Sequence, residues 1–286
     1  MLDYPAIAAS AEIIRRGSFE AAAAALHVTP SAISQRIRVL EERMGTVLID
    51  RGPPVAATAQ GLRLAAHLDQ VRLLESGLAL PPSDRPVLRL AVNADSLASW
   101  AMPALAAAPG LLDLTIDDQD HALDWLRNGM VVAALTSDSR PVTGCDSQRL
   151  GILRYRATAS PGFLARHFPD GVTADSLARA PSLSFNAKDA LQTRWAKALT
   201  GARLSLPMHR IPTAHGFAEA ARLGIGWGMN PEPIVREDIA AGRLIDLAPG
   251  LPLDVPLYWQ FSRITAPALA PLTDAIRKAA KAALLP

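Results

Sequence analysis

The sequence predicts a multidomain α+β chain: a helical head, a long connecting helix, and an α/β region built in two units. Three observations predict it. Gly17 to Met44 reads as two short helices around a tight turn. From Thr58 onward Leu64, Leu68, Val71 and Leu78 recur at a 4-3-7 spacing, interrupted by Glu75. Beyond Pro81-Pro82-Ser83-Asp84-Arg85-Pro86 the texture changes to short apolar runs alternating with helical patterns.

Taken in order, Tyr4 to Ile14 is a first helix with Ile7, Ala11 and Ile14 as its core stripe. Gly17 ends it, Phe19 starts the second, and His27-Val28 breaks the alanine-rich run. Thr29 stands at an N-cap position with Pro30 at the first helical one. At roughly 100° per residue the third helix places Ile33, Ile37, Leu40 and Met44 on one side. Ser31, Gln35 and Arg38 fall opposite, with Ser34 at the edge. Hydroxyl, amide and guanidinium groups in a row match the donors and acceptors on base edges in a major groove. The alternative is an ordinary solvated face, for which Glu and Lys are better helix formers than Ser.

Val47-Leu48-Ile49, Arg51-Gly52-Pro53-Pro54 and Val55-Ala56 read as strand, turn and return, a wing. Thr58 caps the connecting helix, whose apolar seam packs either on a twin helix or on its own domain.

The α/β region opens with a strand at Val87 to Val92, and Asp95 or Ser96 is expected to cap a helix through Leu105. Leu112 to Ile116 is a strand, Ala122 to Arg127 a helix, and Val131 to Leu135 a third strand, which argues a parallel sheet with crossovers. A second unit starts near Ser160: a strand at Leu183 to Phe185, helices at Asp189 to Leu199 and Phe217 to Leu223, and a strand at Ile225 to Met229. Leu257 to Phe261 returns to the first unit, and Ala266 to Leu284 closes as a helix.

Composition excludes several classes. No uncharged run reaches membrane-spanning length, the first residues lack a secretory pattern, and Cys145 is the single cysteine, so a cytoplasmic chain is expected. Net charge is +2, and within residues 1–65 seven arginines face six acids, so DNA binding would depend on where arginines point. Gly224, Gly226 and Gly228 follow a helix and enter a strand, the reverse of a dinucleotide motif. The six histidines lack metal-ligand spacing and no nucleophile motif occurs, so neither an enzyme nor a metal or other cofactor is expected.

Gly17-Ser18-Phe19, Ala22-Ala23, Leu26, Thr29 through Ser34, Ile37, Leu40-Glu41, Gly45, Leu48 and Arg51 match a long, evenly spaced pattern. On these residues the chain resembles the LysR-type transcriptional regulators, and Ser34-Gln35-Arg36-Ile37 is similar to their branch regulating basic amino-acid export, the ArgP/LysG group. The likeness extends to Leu90 through Ala98, Phe168 through Thr173, Leu244 through Leu247, Pro249-Gly250 and Leu257-Tyr258-Trp259. It implies an N-terminal winged helix-turn-helix (1–57), a linker and dimerisation helix (58–80), and a periplasmic-binding-protein-like effector domain. The latter would have lobe I at 87–158 and 262–286 and lobe II at 159–261. Thr29, Ser31, Ser34, Gln35 and Arg38 would serve base recognition, and Arg36 and Arg51 phosphates. The branch usually has a second wing arginine where this chain has Ala56, so the wing's grip would be weaker.

The resemblance further implies a homodimer or tetramer on double-stranded promoter DNA, with RNA polymerase as partner when activating. Lysine or arginine would act as effector and an amino-acid exporter gene as target. Another small carboxylate or an aromatic metabolite is the rival effector, and a plain solute-binding protein the more distant reading. Ligands in α/β folds sit beyond the carboxyl ends of strands and at helix starts. Asn93, Asp95 and Ser96 hold such positions, as do Thr136, Ser137, Asn186, Asp189, Thr213 and His215. Asp117 and Asp118, with Asp120 nearby, would supply the anion for a basic side chain, and Trp259 reads as core.

Overall fold

Caps written into the sequence set the head. In the computed structural model, which describes residues 2–78, 86–117 and 122–286, the Asp3 carboxylate takes the Ala6 N–H at 3.1 Å to open α1 (Tyr4–Arg16). Gly17 closes that helix at φ 66°, a left-handed conformation that suits a residue without Cβ. Ser18 caps α2 (Phe19–Ala25), and Thr29 caps α3 (Pro30–Met44) by accepting from the Ala32 N–H at 3.2 Å. Ile7, Ile33 and Ile37 are fully buried, and Ile13, outside the expected stripe, joins them.

The wing pairs β1 (Ile49–Asp50) with β2 (Ala56–Ala57), slightly later in the chain than the pattern suggests. The reason is Glu41, whose Oε1 accepts the Leu48 and Ile49 N–H groups at 2.8 and 3.2 Å and ties Leu48 to α3.

α4 (Ala59–Ser76) answers the question its seam left open, at least for its first half. Leu64 and Leu68 are buried in the head's own core with Ala65, because three short helices leave a side that only a fourth can cover. Leu73 enters the core of the α/β region, while Leu74 and Leu78 stay exposed. Of the two packings open to Leu64 and Leu68, the structure shows the one on their own domain. Residues 79–85 and 118–121 lie outside the described residues, and with them the expected domain boundary at Pro81 to Asp84 and the effector roles of Asp118 and Asp120.

β3 (Val87–Asn93) runs parallel to β4 (Leu111–Asp117) and β5 (Ala133–Thr136). Between β3 and β4, α5 (Ala94–Ser96), a π-helical turn (Leu97–Ala101) and α6 (Met102–Leu105) run end to end, and α7 (Ala122–Arg127) precedes β5. Asn93, rather than Asp95 or Ser96, is the cap: it has extended backbone, and its Oδ1 accepts the Ser96 N–H at 2.7 Å.

Then comes β6 (Cys145–Ala159), a fifteen-residue strand that the alternating pattern does not single out. Its Leu153, Tyr155 and Ala157 are buried. The second unit contains α8 (Pro161–His167), α9 (Ala174–Arg179), β7 (Ser182–Ser184), α10 (Leu191–Thr200), β8 (Met208–Arg210) and α11 (Ala214–Arg222). It continues with β9 (Gly228–Pro231), α12 (Glu232–Ala240) and β10 (Ile245–Asp246). β11 (Leu253–Ser262) and α13 (Ala266–Ala283) return the chain.

β6 and β11 pair antiparallel from Leu253↔Tyr155 to Ser262↔Cys145. At one end β11 also pairs with β5; at the other β6 takes β9 and β10. One sheet therefore runs through both units, here lobe I (β3–β5 with α5, α6, α7 and α13) and lobe II (α8–α12 with β7–β10). Parallel pairing holds for β3–β5 and for β7–β8 but not for the strands joining the lobes. Trp259 is fully buried beside α13, its Nε1 donating to Thr273 Oγ1 at 3.1 Å.

Candidate functional site

The residues expected to act fall on two surfaces. On α3 the buried stripe fixes the helix's rotation, which leaves Ser31, Gln35, Arg36 and Arg38 exposed and Ser34 half-buried at the edge. Thr29 spends its hydroxyl on the cap and lies 3.0 Å from Ser31 Oγ. Arg38 Nε donates to Glu42 at 3.0 Å, an exposed pair that a phosphate or base edge can displace at small cost. Arg51 sits 5.3 Å above the Phe19 ring with Nη2 3.5 Å from Glu41 Oε2. The carboxylate that organises the wing thus also aims its arginine. Val39, 47 % exposed on the same helix, is apolar surface that the periodicity did not single out.

The second surface is a cavity of about 110 Å³ between the lobes. Lobe I contributes Asn93, Ala94 and Asp95; lobe II contributes Phe185, Asn186, Lys188 to Leu191, Arg194, Ala214, Phe217 and Met229 to Pro231. Of the residues expected to hold an effector, the structure brings together Asn93, Asp95, Asn186 and Asp189. Ser96 is fully buried, with its Oγ unpartnered among the described residues, and Thr136 is buried with Oγ1 accepting from Asp138 N–H at 3.2 Å. Neither lines the cavity, nor do Ser137, Thr213 or His215; Ala214, between the last two, does. Asp117 ends β4 as expected.

Asp95 is the electrostatic centre. Tyr155 Oη donates to its Oδ2 at 2.7 Å. Desolvation pushes its carboxyl up to about 6, with the Tyr155 hydrogen bond pulling the other way and the charge of Asp189 adding to the rise. Burial and the Asp95 charge push the Tyr155 phenol well above its ordinary range, so it stays the donor. Asp189 accepts from Phe185 N–H at 2.9 Å, Leu191 N–H at 3.0 Å and Gln192 Nε2 at 3.3 Å. Asn186 Oδ1 accepts the Lys188 and Asp189 N–H groups at 2.8 and 3.1 Å, shaping the same loop.

Sequence reasoning missed Tyr155, Phe185 as lining, Lys188, Arg194, Phe217, Met229 and Asn230. A signal existed for Lys188, which lies between Asn186 and Asp189 in a loop already singled out. Together the walls offer carboxylates from both lobes, two cations from lobe II and apolar surface between. That set suits a small molecule with one anionic and one or two cationic groups. Among the described residues no cluster of His, Cys, Asp and Glu could hold a metal ion.

Comparison with known proteins adds two family models. Residues 6–62 match the bacterial regulatory helix-turn-helix protein of the lysR family, and residues 82–281 the LysR substrate binding domain. The chain is 42 % identical over 285 residues to a transcriptional regulator named LysG from Mycobacterium bovis, covering 98 % of this chain and 94 % of that one. The crystal structure of ArgP from Mycobacterium tuberculosis superposes with a TM-score of 0.82 at 41 % identity, covering 100 % of this chain and 99 % of that one. Full-length LysG from Corynebacterium glutamicum with the effector Arg bound gives a TM-score of 0.67 at 35 % identity, with both chains covered in full.

Proposed function

The chain belongs to the LysR family of DNA-binding transcriptional regulators, and from that premise we propose that it senses a basic amino acid, lysine or arginine, in the cavity between its lobes. One observation carries the reading: Asp95 and Asp189 present carboxylates to one small cavity from opposite lobes. Like charges so placed call for a cation. Lys188 and Arg194, on the lobe II wall, suit the α-carboxylate. A neutral or aromatic carboxylate would bring no cation to Asp95, whose Oδ1 accepts no hydrogen bond among the described residues. The related LysG with bound Arg points the same way.

On the DNA side, Ser31, Ser34, Gln35 and Arg38 read base edges, Thr29 sets the helix start, and Arg36 and Arg51 hold phosphates. The division at 1–57, 58–80, 87–158 with 262–286, and 159–261 is supported by the head's separate hydrophobic core and by the β6–β11 crossing. The working form is a homodimer or tetramer in the cytoplasm that engages RNA polymerase when it activates an amino-acid exporter gene; relatedness to LysG and ArgP supports that target. The effector acts by binding two arrangements of the protein with different affinity.

The test is a footprint on the DNA beside the protein's own gene, titrated with lysine, arginine and leucine. A pattern altered only by the basic amino acids is expected. Specific binding indifferent to all three would overturn the effector assignment.

A further inference from the structure

Among the described residues two carboxylates line the cavity, and the structure treats them unequally. Asp189 accepts three hydrogen bonds, two of them from backbone N–H groups of its own loop and helix. Asp95 accepts one, from Tyr155, and its Oδ1 accepts none among the described residues. Tyr155 is itself buried on β6, where that strand pairs with Pro231 of β9, so the bond reaches from the lobe II end of the crossing strand to the helix start of lobe I. Opposed like charges in one desolvated space are relieved by a proton, and the carboxyl with fewer donors is the one to take it.

We propose that Tyr155 is a positioning residue for the effector: its hydroxyl holds Asp95 ready as the cation-accepting carboxylate, and docking of the cation expels a proton from Asp95 to solvent. The proposal rests on the basic-effector reading above. The charged and titratable groups facing Asp95 agree with it. Asp189 opposes ionisation, Tyr155 favours it as a donor that cannot itself ionise near neutral pH, and Lys188 and Arg194 stand on the wall that would take the ligand's carboxylate. The empty cleft is thereby kept part-protonated at a mildly acidic pH, and the ligand's positive charge replaces the proton. No covalent bond changes; one proton leaves as one ion pair forms.

The experiment is calorimetric titration of arginine into the full-length protein from about pH 5 to about pH 8, in two buffers of different ionisation heat. Arginine's own groups hold their charge over that range. Affinity is expected to be nearly level above neutrality and to fall toward tenfold per pH unit below about 6, with proton release growing as the pH drops. Tyr155→Phe keeps the ring but removes the donor, and should move the midpoint up by about one unit, so that its deficit near neutrality is recovered at higher pH. Asp95→Asn, isosteric at the same bond, should bind arginine weakly and indifferently to pH.

Arginine binding by the unaltered protein without pH dependence or proton release would overturn the proposal and leave the basic-effector reading intact. So would a Tyr155→Phe loss that is equal at every pH. Failure of lysine and arginine to bind at any pH would overturn both.

Discussion

Tyr155 Oη lies 2.7 Å from Asp95 Oδ2, and this bond ties the crossing strand β6 to the start of α5 where it lines the cavity. Its acceptor is costly to the empty protein. Asp95's carboxyl is raised in the fold to about 6 by desolvation, so ionising it costs stability. The sign follows: the folded state binds the proton more tightly than the unfolded chain. Stability is therefore lost as pH rises from the unfolded value of about 3.9 to the folded one, and stays level above it. Asp95→Asn is expected to raise the melting temperature at neutral pH, with the gain disappearing near pH ~4, while it abolishes the response to lysine. Thermal scans at both pH values check it; an unchanged melting temperature at neutral pH would contradict the cause assigned here.

On α3, Gln35→Ala and Arg38→Ala should each cost about 1–3 kcal/mol on the specific site and little on scrambled DNA. Arg36→Ala and Arg51→Ala should weaken both DNAs alike and lower the salt slope by about 1 each. Gel shifts over a salt series separate the two classes. Equal losses on both DNAs for Gln35→Ala would remove it from base recognition.

Gly61 is where α4 crosses the wing. A Cβ there would lie 2.1 Å from the Leu48 carbonyl oxygen, which already accepts the Thr58 N–H at 3.0 Å. Gly61→Ala must push the helix off the head, at about 2–3 kcal/mol. Denaturant unfolding of the variant should show an early transition of the head, with arginine binding in the cleft retained.

The far half of α4 is tied to lobe I. Asp69 Oδ2 accepts from Arg89 Nε on β3 at 3.1 Å, and Gln70 Nε2 donates to the Gly129 carbonyl at 2.7 Å. Asp69 is 4 % exposed, so Arg89→Ala strands a buried carboxylate and should cost about 3 kcal/mol. Its diagnostic effect is on coupling: arginine should still bind, but should change the DNA footprint less. An unaltered arginine-dependent footprint would show that the signal travels elsewhere.

Lobe II has its own acid sensitivity. Burial works to raise the Asp238 carboxyl, but hydrogen bonds from Arg222 and Arg243, at 2.7 and 2.5 Å, outweigh it and hold the group below its usual range. A depressed carboxyl contributes fully above the unfolded value of about 3.9, and the contribution fades as pH falls through the lower folded value. Asp238→Asn should therefore destabilise by about 2–3 kcal/mol at neutral pH and flatten the acid limb of a stability-versus-pH curve.

What could be read from sequence was what neighbouring residues decide. Thr29, Pro30 and Gly45 bound α3 by themselves, and the 3.6-residue period settles which face Gln35 and Arg38 occupy. β6 escaped because Arg149, Arg154 and Arg156 give it a polar look, and because its partner β11 lies about a hundred residues away. The strand-end rule located Asn93, Asp95, Asn186 and Asp189, whose positions depend on local chain direction. It overreached with Ser96, Thr136, Ser137, Thr213 and His215, which share the position but not the cavity. Arg194 and Phe217 reach the cavity only through the rotational phase of α10 and α11, and Tyr155 through the crossing strand; none of these is a local property.

Among the described residues, twelve of those lining the cavity come from lobe II and three from lobe I. A ligand held there would rest mostly on the described lobe II surface, with the start of α5 facing it as a clasp from lobe I. Among related complexes, affinity differences reside mostly in dissociation. The clasp belongs to the lobe that α4 joins to the DNA-binding head. Any effect of that clasp on a ligand's escape would thus arise on the side of the cavity tied to the head.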